Sequence, residues 1–394
     1  MERPAGGSNR RIPVSELNPV GFRTFVANLG VKDTSTDFSV VTSEYPCTAA
    51  AVFTRSRFAG PSVLLSREHV AGGAARAVVT VSKNANVANG ERGRQDAEEV
   101  AKLAADLVGC APQEVLIGST GVIGRPYPME RIRTRVPGVV ATEAPDFQAV
   151  AEAIMTTDTH AKLVRTRIGP AVLVGIAKGV GMMEPDMATL LTYYFTDARI
   201  PAADLDALFR RVMDRTFNCV SVDTDTSTSD TAVILANGQA GEVDLGAFEE
   251  ALYSVAEDLT RQVARDGEGA TRLIEVVVDE ARDEAQARRV AKAIVNSPLV
   301  KTAVHGSDPN WGRVAMAVGK CKDDTDIDPD RVVIRFGDLE VYPEAAPDLE
   351  RLTGIMAADE VVIHVSLATG TARAKVWGCD LSDGYVRINA DYTT

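Results

Sequence analysis

An Ala-Thr pair lies where a glycine- and proline-containing loop gives way to a β-branched and aromatic run. The pair is Ala188-Thr189, the loop is Lys178–Asp186, and the run is Leu190–Thr196. A hydroxyl in a strained turn can attack its own preceding carbonyl, and hydrolysis of the resulting ester would leave Thr189 as a new N-terminus. Its α-amine, with an unperturbed pKa of about 8, could then act as the base for the hydroxyl. From these residues alone, an ordinary loop before a strand is the simpler interpretation.

A second stretch, Gly118–Gly124, has three glycines around a threonine and follows the predicted strand Val115–Gly118. Glycine lets backbone N–H groups approach a developing negative charge, and the Thr120 hydroxyl beside the Gly121 N–H could complete an oxyanion hole. Taken alone, the stretch is more simply a turn. A phosphate-binding loop is disfavoured because the Gly-Lys-Ser/Thr ending is absent.

A glutamate between two glycines follows a predicted helix over Phe248–Asp266. The end of the helix explains the glycines of Asp266–Ala270. It does not explain Glu268, which could be a ligand. On local grounds a solvated turn is the preferred interpretation.

Two other polar stretches have plainer explanations than catalysis. Asp223–Asp230 alternates acidic residues as a calcium loop does, but it lacks the glycine and the distal glutamate at the required offsets. We therefore predict a hydroxyl-rich loop bonded to backbone groups. In His305–Arg313, His305 and Asp308 could do acid–base chemistry, but a buried histidine satisfied by structural partners is the simpler expectation.

Alternating short strands and amphipathic helices must position these residues. Helices are predicted at Asp96–Leu107, Phe147–Met155, Ala202–Thr216, Phe248–Asp266 and Glu284–Val295. Strands are predicted at Ala77–Val81, Leu163–Ile168, Ala171–Ala177, Leu273–Val278, Val332–Phe336, Val361–Leu367, Ala372–Trp377 and Tyr385–Asn389. Strict βαβ alternation is missing, which favours a layered α/β sandwich over a dinucleotide-binding fold.

The amino-acid composition limits which classes of molecule the protein can bind. The 394 residues carry a net charge of −13, so nucleic acid and anionic membranes would be repelled, while a small acidic substrate is not excluded. The five cysteines include no CxxC, which argues against a disulfide framework or a zinc site and favours a reducing cytoplasm. No apolar run approaches the roughly 20 residues of a membrane span, and the N-terminal residues lack the apolar core of a signal peptide.

Taken together, these stretches resemble one family, the ornithine acetyltransferases or glutamate N-acetyltransferases of arginine biosynthesis. The resemblance runs from about Phe38 to the last residue and is strongest to the paralogues encoded with clavulanic-acid biosynthesis in actinomycetes. The matching blocks are Asn84–Gly90, Ser119–Gly124, Ile154–Asp158, Lys178–Thr189, Asp223–Asp230, Asp266–Ala270, Asn296–Ala303, His305–Arg313 and Asn389–Thr394.

The resemblance implies cleavage between Ala188 and Thr189 into an α chain, residues 1–188, and a β chain, residues 189–394. It implies a self-cleaving αββα sandwich of the α/β (α+β) class, with a smaller C-terminal α/β domain from about residue 280. It also implies an (αβ)₂ assembly or a multiple of it. By motif, Thr189 is the nucleophile, and Thr120 and Gly121 stabilise the oxyanion. The implied substrate contacts are Thr156, Thr157, Lys178, Glu268, Asn389 and Thr394.

The implied reaction is a ping-pong transfer of acetyl from N2-acetylornithine to glutamate through acetyl-Thr189, with no metal, nucleotide or organic cofactor. Lys178 offers a cation for an α-carboxylate, and Glu268 could receive the substrate's terminal ammonium. The chain departs from the family pattern at Glu184 and Asp186, two acids that would raise the negative potential beside the cleavage site. Residues up to about Pro19 have no family counterpart.

Three other functions stay open at this point. The chain could be an acyltransferase of specialised metabolism with another donor or acceptor. It could be an amide hydrolase or aminopeptidase, in which water replaces the acceptor. It could also be a binding protein that never cleaves itself.

Overall fold

The computed structural model describes residues 17–184, 190–343 and 348–391. Its strands are β1 (Phe22–Ala27), β2 (Phe38–Phe53), β3 (Ala74–Asn84), β4 (Val115–Val122), β5 (Lys162–Ile168), β6 (Ala171–Lys178), β7 (Leu191–Arg199), β8 (Val220–Ser221), β9 (Thr231–Glu242), β10 (Leu273–Ala281), β11 (Val333–Phe336), β12 (Leu339–Tyr342), β13 (Glu360–Ser366) and β14 (Ala372–Cys379). Its helices are α1 (Pro61–Val70), α2 (Gly90–Val108), α3 (Met129–Arg135), α4 (Phe147–Ile154), α5 (Ala202–Arg215), α6 (Leu245–Arg265), α7 (Glu284–Val295), α8 (Pro298–His305), α9 (Trp311–Gly319), α10 (Leu349–Met356) and α11 (Asp383–Asp391). Across the three described segments, no helix has both the length and the apolar character needed to cross a bilayer.

The larger sheet is one hydrogen-bonded path folded into two layers. Its order is β4-β3-β2-β9-β7-β6-β5, with β1 added to β2. The fold line lies in β2, whose pairing with β3 shifts register between Thr42 and Cys47, where a bulge bends the strand. The two layers then face each other, since Thr80 of β3 donates to the Tyr193 hydroxyl of β7 at 3.1 Å.

Helices cover both outer faces of these two layers. Alternate residues of β3 and β4 point outward onto the apolar side of α2, and alternate residues of β7 and β9 point outward onto α5 and α6. The residues between the layers form a separate core that includes Val78, Leu116, Phe195 and Leu235. Side chains along a strand alternate faces, so each strand of the folded sheet serves two cores. The result is an αββα sandwich, which confirms the predicted fold class.

A second sheet packs on the far side of α6. Its order is β12-β11-β13-β10-β14-β8. Arg261 of α6 donates to Glu275 of β10 at 2.7 Å and to Glu360 of β13 at 2.6 Å, which ties the helix to this sheet. This sheet includes β8 and β10, which both begin before residue 280. A smaller C-terminal domain that starts at about residue 280 stays a prediction.

Most elements predicted from periodicity are confirmed, but the strand predicted at Tyr385–Asn389 is wrong. That segment lies in α11, which begins after Ser382. The Ser382 hydroxyl accepts the backbone N–H of Gly384 at 3.0 Å, as an N-terminal capping residue does. A short alternating run cannot separate strand from helix, and here the capping serine favours the helix.

Candidate active site

A cavity of about 150 Å³ brings together residues that are far apart in the sequence. It lies where β4 ends, where the chain leaves β6, and where the turn after α6 meets α11. Its lining includes every predicted site residue that the structure describes: Thr120, Gly121, Thr156, Thr157, Lys178, Glu268 and Asn389. The remaining three, Ala188, Thr189 and Thr394, lie outside the described residues. Leu190 and Leu191, which follow Thr189 in the chain, line the cavity wall.

Thr120 and Gly121 lie near the end of β4, so the turn expected for this stretch is wrong, and Gly121 packs closely against β3. Gly121 has φ +128°, and a Cβ there would lie 2.2 Å from the carbonyl carbon of Lys83. Only glycine fits at that position. The Thr120 hydroxyl accepts a hydrogen bond from the Lys178 ammonium at 3.2 Å. The end of β4 therefore places a hydroxyl next to a cation in the cavity.

Lys178 ends β6 and is only 8% exposed. Burial is the largest effect and lowers the pKa of its ammonium, while the nearby carboxylates of Asp158 and Glu268 oppose that shift. The chain then turns at Gly179, whose N–H donates to Asp158 at 2.8 Å. An anionic group that enters the cavity would meet a desolvated cation, for which the attraction is stronger than in water.

A buried charge network beneath Lys178 was not identified from the sequence. Lys162 is fully buried and donates to Asp158 at 2.8 Å and to Asp266 at 2.6 Å. Burial alone would raise the pKa of Asp158, but Lys178 and Lys162 lower it to about 2. Asp158 also accepts the N–H of Thr156 at 3.1 Å. The network thus holds the cavity's threonine loop against β5 and the turn after α6.

We expect Lys162→Met to destabilise the protein by about 3–5 kcal/mol, because two buried carboxylates would lose their shared cation. Urea unfolding of the purified protein measures this loss. Lys102→Met, an exposed lysine on α2, makes the same chemical change as a control and should cost little. Equal stability of the two variants would show that the network contributes nothing beyond a surface charge.

Glu268 lies in a turn after α6, is partly exposed, and lines the cavity. Its carboxylate accepts from the Thr157 hydroxyl at 3.1 Å and from the Asn389 amide at 2.9 Å. A Cβ on Gly181 would lie 2.6 Å from the same carboxylate. The backbone N–H of Glu268 donates to Val180 at 2.9 Å, which locks the turn to the loop after β6.

The loop that leads toward the Ala188-Thr189 pair is held by the hydroxyl-rich stretch. Asp223 accepts the backbone N–H groups of Met182 and Met183, each at 2.7 Å. The N–H of Glu184 donates to the carbonyl of Asp225 at 2.8 Å. Asp223–Asp230 therefore binds backbone groups, as its composition predicted. No trio of His, Cys, Asp or Glu side chains that could hold a metal ion is found in the described part of the chain.

The negative charge of Glu184, which was expected to raise the negative potential beside the cleavage site, has partners in the structure. Its carboxylate turns toward α7, where it accepts from Asn296 at 2.6 Å and lies 3.5 Å from the Lys292 ammonium. Ser221 donates to it at 3.1 Å. Asp186, the second acid of that expectation, lies outside the described residues.

His305 lies away from the cavity and has structural partners. Its Nδ1 is 2.7 Å from an Asp380 carboxylate oxygen, and its carbonyl accepts from Arg272 at 2.8 Å. Asp380 also accepts the N–H groups of Thr271 and Arg272. His305 therefore has the structural partners expected of it, but its side chain is 38% exposed and the expected burial is wrong.

Comparison with known proteins gives one consistent result. The model of the ArgJ family matches residues 23–394. The arginine biosynthesis bifunctional protein ArgJ 2 of Nostoc sp. is 58% identical over 379 residues, which cover 95% of this chain and 98% of that protein. The glutamate N-acetyltransferase Oat2 of Streptomyces clavuligerus is 59% identical over 386 residues, with 95% and 98% covered. The solved arginine biosynthesis bifunctional protein ArgJ of Bacillus halodurans is 40% identical, with a TM-score of 0.47. The match covers 50% of this chain and 96% of that one.

Proposed function

The chain belongs to the ArgJ family and is a glutamate N-acetyltransferase, and we propose that it cleaves itself at Ala188-Thr189 and transfers acetyl from N2-acetylornithine to glutamate through Thr189. The observation that carries the proposal is the cavity itself. It joins the Thr120-Gly121 end of β4, a buried cation and a carboxylate beside the strand that starts two residues after Thr189.

Maturation requires that the Thr189 hydroxyl attack the carbonyl of Ala188. The peptide C–N bond breaks as the ester to Oγ forms, and the proton of the hydroxyl passes to the released α-amine. Water then hydrolyses the ester, which leaves a carboxylate on Ala188 and restores the hydroxyl of Thr189. The bonds of Met182, Met183 and Glu184 to the hydroxyl-rich stretch support this step, because a fixed entry to the turn limits the conformations of the bond to be broken.

Transfer then proceeds in two halves. The Thr189 hydroxyl attacks the acetyl carbonyl of N2-acetylornithine while the α-amine takes its proton and passes it to the departing ornithine amine. The acetyl ester on Thr189 is next attacked by the neutral amine of glutamate, and the hydroxyl is restored. Each half passes through a tetrahedral oxyanion, and in this proposal Thr120 and the N–H of Gly121 bind it.

The charges of the cavity support amino-acid substrates. Lys178, desolvated beside Thr120, suits the α-carboxylate that both substrates carry. Glu268 suits the terminal ammonium of ornithine, and Thr157 and Asn389 hold its carboxylate in place. Thr156 lies on the cavity wall next to them, and Thr394 completes the proposed substrate contacts.

Assay of the purified protein with N2-acetylornithine, with and without glutamate, tests the proposal. Ornithine should be released, and N-acetylglutamate should form in equal amount when glutamate is present. Acetate formed at the same rate with and without glutamate would instead identify a hydrolase. Assembly of the α and β chains into (αβ)₂ or a multiple is part of the proposal and can be measured by light scattering.

We expect Glu268→Gln to weaken use of N2-acetylornithine by about 1.5–3 kcal/mol, the range for a hydrogen bond to a charged group. The change removes the charge and nearly keeps the shape, and the remaining amide oxygen can still accept one of the two bonds from Thr157 and Asn389. Acetyl transfer from the acetyl-enzyme to glutamate should suffer less, because glutamate ends in a carboxylate. The measurement is kcat/KM for each half-reaction.

Glu130→Gln, an exposed glutamate on α3, serves as the matched control and should change neither half. Equal losses in both halves of the Glu268→Gln reaction would mean that Glu268 only shapes the turn. The role of Glu268 as the ammonium partner would then have to be dropped.

A further inference from the structure

A wide cleft of about 990 Å³ opens beside the catalytic cavity and shares Thr156 with it. We call it the basic cleft, because four of its lining residues are the cations Lys32, Lys83, Arg125 and Arg131. Two acids, Asp33 and Glu152, are among the other lining residues. In a chain with a net charge of −13, a cleft with an excess of cations indicates an anionic ligand.

Lys32 is held at the inner end of this cleft. Its ammonium donates to the carbonyl of Thr36 at 2.8 Å and to that of Ala153, near the end of α4, at 3.1 Å. An ammonium has three N–H donors, so one remains for a ligand. Burial is the largest effect that lowers the pKa of Lys32 to about 8; Asp37 and Asp158 oppose it, and the charges of Lys178 and Lys83 add to it. Lys32 thus lies within electrostatic reach of the catalytic cavity.

Lys83 lies directly opposite Gly121, one of the proposed oxyanion-binding residues of β4. It is the partner of Gly121 in the β3–β4 pair, and its carbonyl oxygen would lie 2.5 Å from a Cβ on that glycine. Its φ of +74° is in the left-handed region, which costs energy for a residue with a long side chain. Lys83 lines the basic cleft, and its strand partner Gly121 lines the catalytic cavity.

Asparagines of the Asn84–Gly90 block stabilise this strained segment. Asn84 accepts the N–H of Asn86 at 2.8 Å and donates to Pro126 at 3.0 Å. Asn89 donates to the carbonyl of Arg125 at 2.8 Å. These bonds connect the residues that follow Lys83 to those around Arg125. Together the two stretches form one rim of the basic cleft. Backbone strain maintained by side-chain bonds is typical of a functional site.

The side chain of N2-acetylornithine ends in an ammonium and that of glutamate in a carboxylate. The carboxylate of Glu268 cannot bind both groups. We propose that Lys32 and Lys83, with Arg125 at the rim, bind the side-chain carboxylate of the glutamate acceptor. This inference rests on the proposed function and deepens it. Glu268 then binds the ammonium of ornithine in the catalytic cavity, and the basic cleft binds the side-chain carboxylate of glutamate. Lys178 binds the α-carboxylate in both halves.

The test compares glutamate with glutamine as acceptor, since glutamine has the same length but no charge. Lys32→Met and Lys83→Met each remove a charge and keep an unbranched side chain. With the cleaved full-length enzyme loaded as acetyl-Thr189, each variant should lower kcat/KM for glutamate at least about tenfold, the effect of losing one bond to a charged group. The preference for glutamate over glutamine should fall by the same factor, whereas release of ornithine from N2-acetylornithine should not show that loss.

Three comparisons make the result decisive. Lys102→Met, on the exposed side of α2, should change neither acceptor rate. Lys83→Arg and Lys32→Arg keep the charge and should retain the preference for glutamate, which separates loss of charge from a folding defect. An unchanged glutamate-to-glutamine ratio in both Met variants would overturn the inference, and so would equal losses in the two half-reactions. Failure of the unmodified enzyme to acetylate glutamate would instead overturn the proposed function.

Discussion

Thr189→Ala should yield a single uncleaved chain with no transferase activity. Without a side-chain hydroxyl there is no nucleophile to attack the carbonyl of Ala188, so the ester that precedes cleavage cannot form. Without cleavage no α-amine is released, and the base for transfer is missing as well. Denaturing electrophoresis and an ornithine-release assay measure the two effects on the same sample.

The matched controls for this variant separate chemistry from folding. Thr189→Ser keeps a hydroxyl and should still produce two chains. Thr134→Ala makes the same substitution at an exposed threonine of α3 and should leave cleavage and activity unchanged. If Thr189→Ala still produced two chains, another nucleophile or a separate protease would have to make the cut.

Periodicity was enough to predict α2, α4, α5, α6 and α7 and the hairpin of β5 and β6, because each of these depends on local sequence, but it missed the other helices of the described residues. The folding of one sheet into two layers could not be predicted in this way. It depends on the bulge in β2 between Thr42 and Cys47, which exists only through pairing with β3. Around Pro46 the sequence predicts short strands separated by glycine and proline residues, whereas the structure has one strand of 16 residues. A proline inside a strand often marks a bulge, and that was the available signal.

Some residues of the candidate site could be predicted from the sequence and others could not, because the others depend on tertiary packing. The family's motif blocks include Thr120, Gly121, Lys178 and Glu268, and the resemblance therefore assigns these residues to one site. Lys162 precedes the predicted strand Leu163–Ile168 and gives no local sign that it is buried between two acids. One of those acids, Asp266, is 104 residues away in the chain. Such a network follows from tertiary packing, and single-sequence reasoning identifies only its most conspicuous members.

Thr120→Ala should lower kcat by about 100-fold or more, the effect of removing one oxyanion donor. The reason lies in the direction of the Thr120 hydroxyl. Its oxygen accepts from the Lys178 ammonium at 3.2 Å, so its own hydrogen is directed elsewhere and can point at an oxyanion in the cavity. The backbone N–H of Gly121 remains in the variant, so residual transfer should persist. Donor KM should change little, because a transition-state interaction is lost.

Two further variants decide whether the hydroxyl itself is responsible. Thr120→Ser keeps the donor and should retain most of the activity. Thr120→Val keeps the shape but removes the donor, and should fall as far as Thr120→Ala. Single-turnover measurement of both half-reactions should show the loss in each, since each passes through its own tetrahedral oxyanion. An unchanged kcat in Thr120→Val would exclude Thr120 from the mechanism and leave Gly121 and the charge of Lys178 to stabilise the oxyanion.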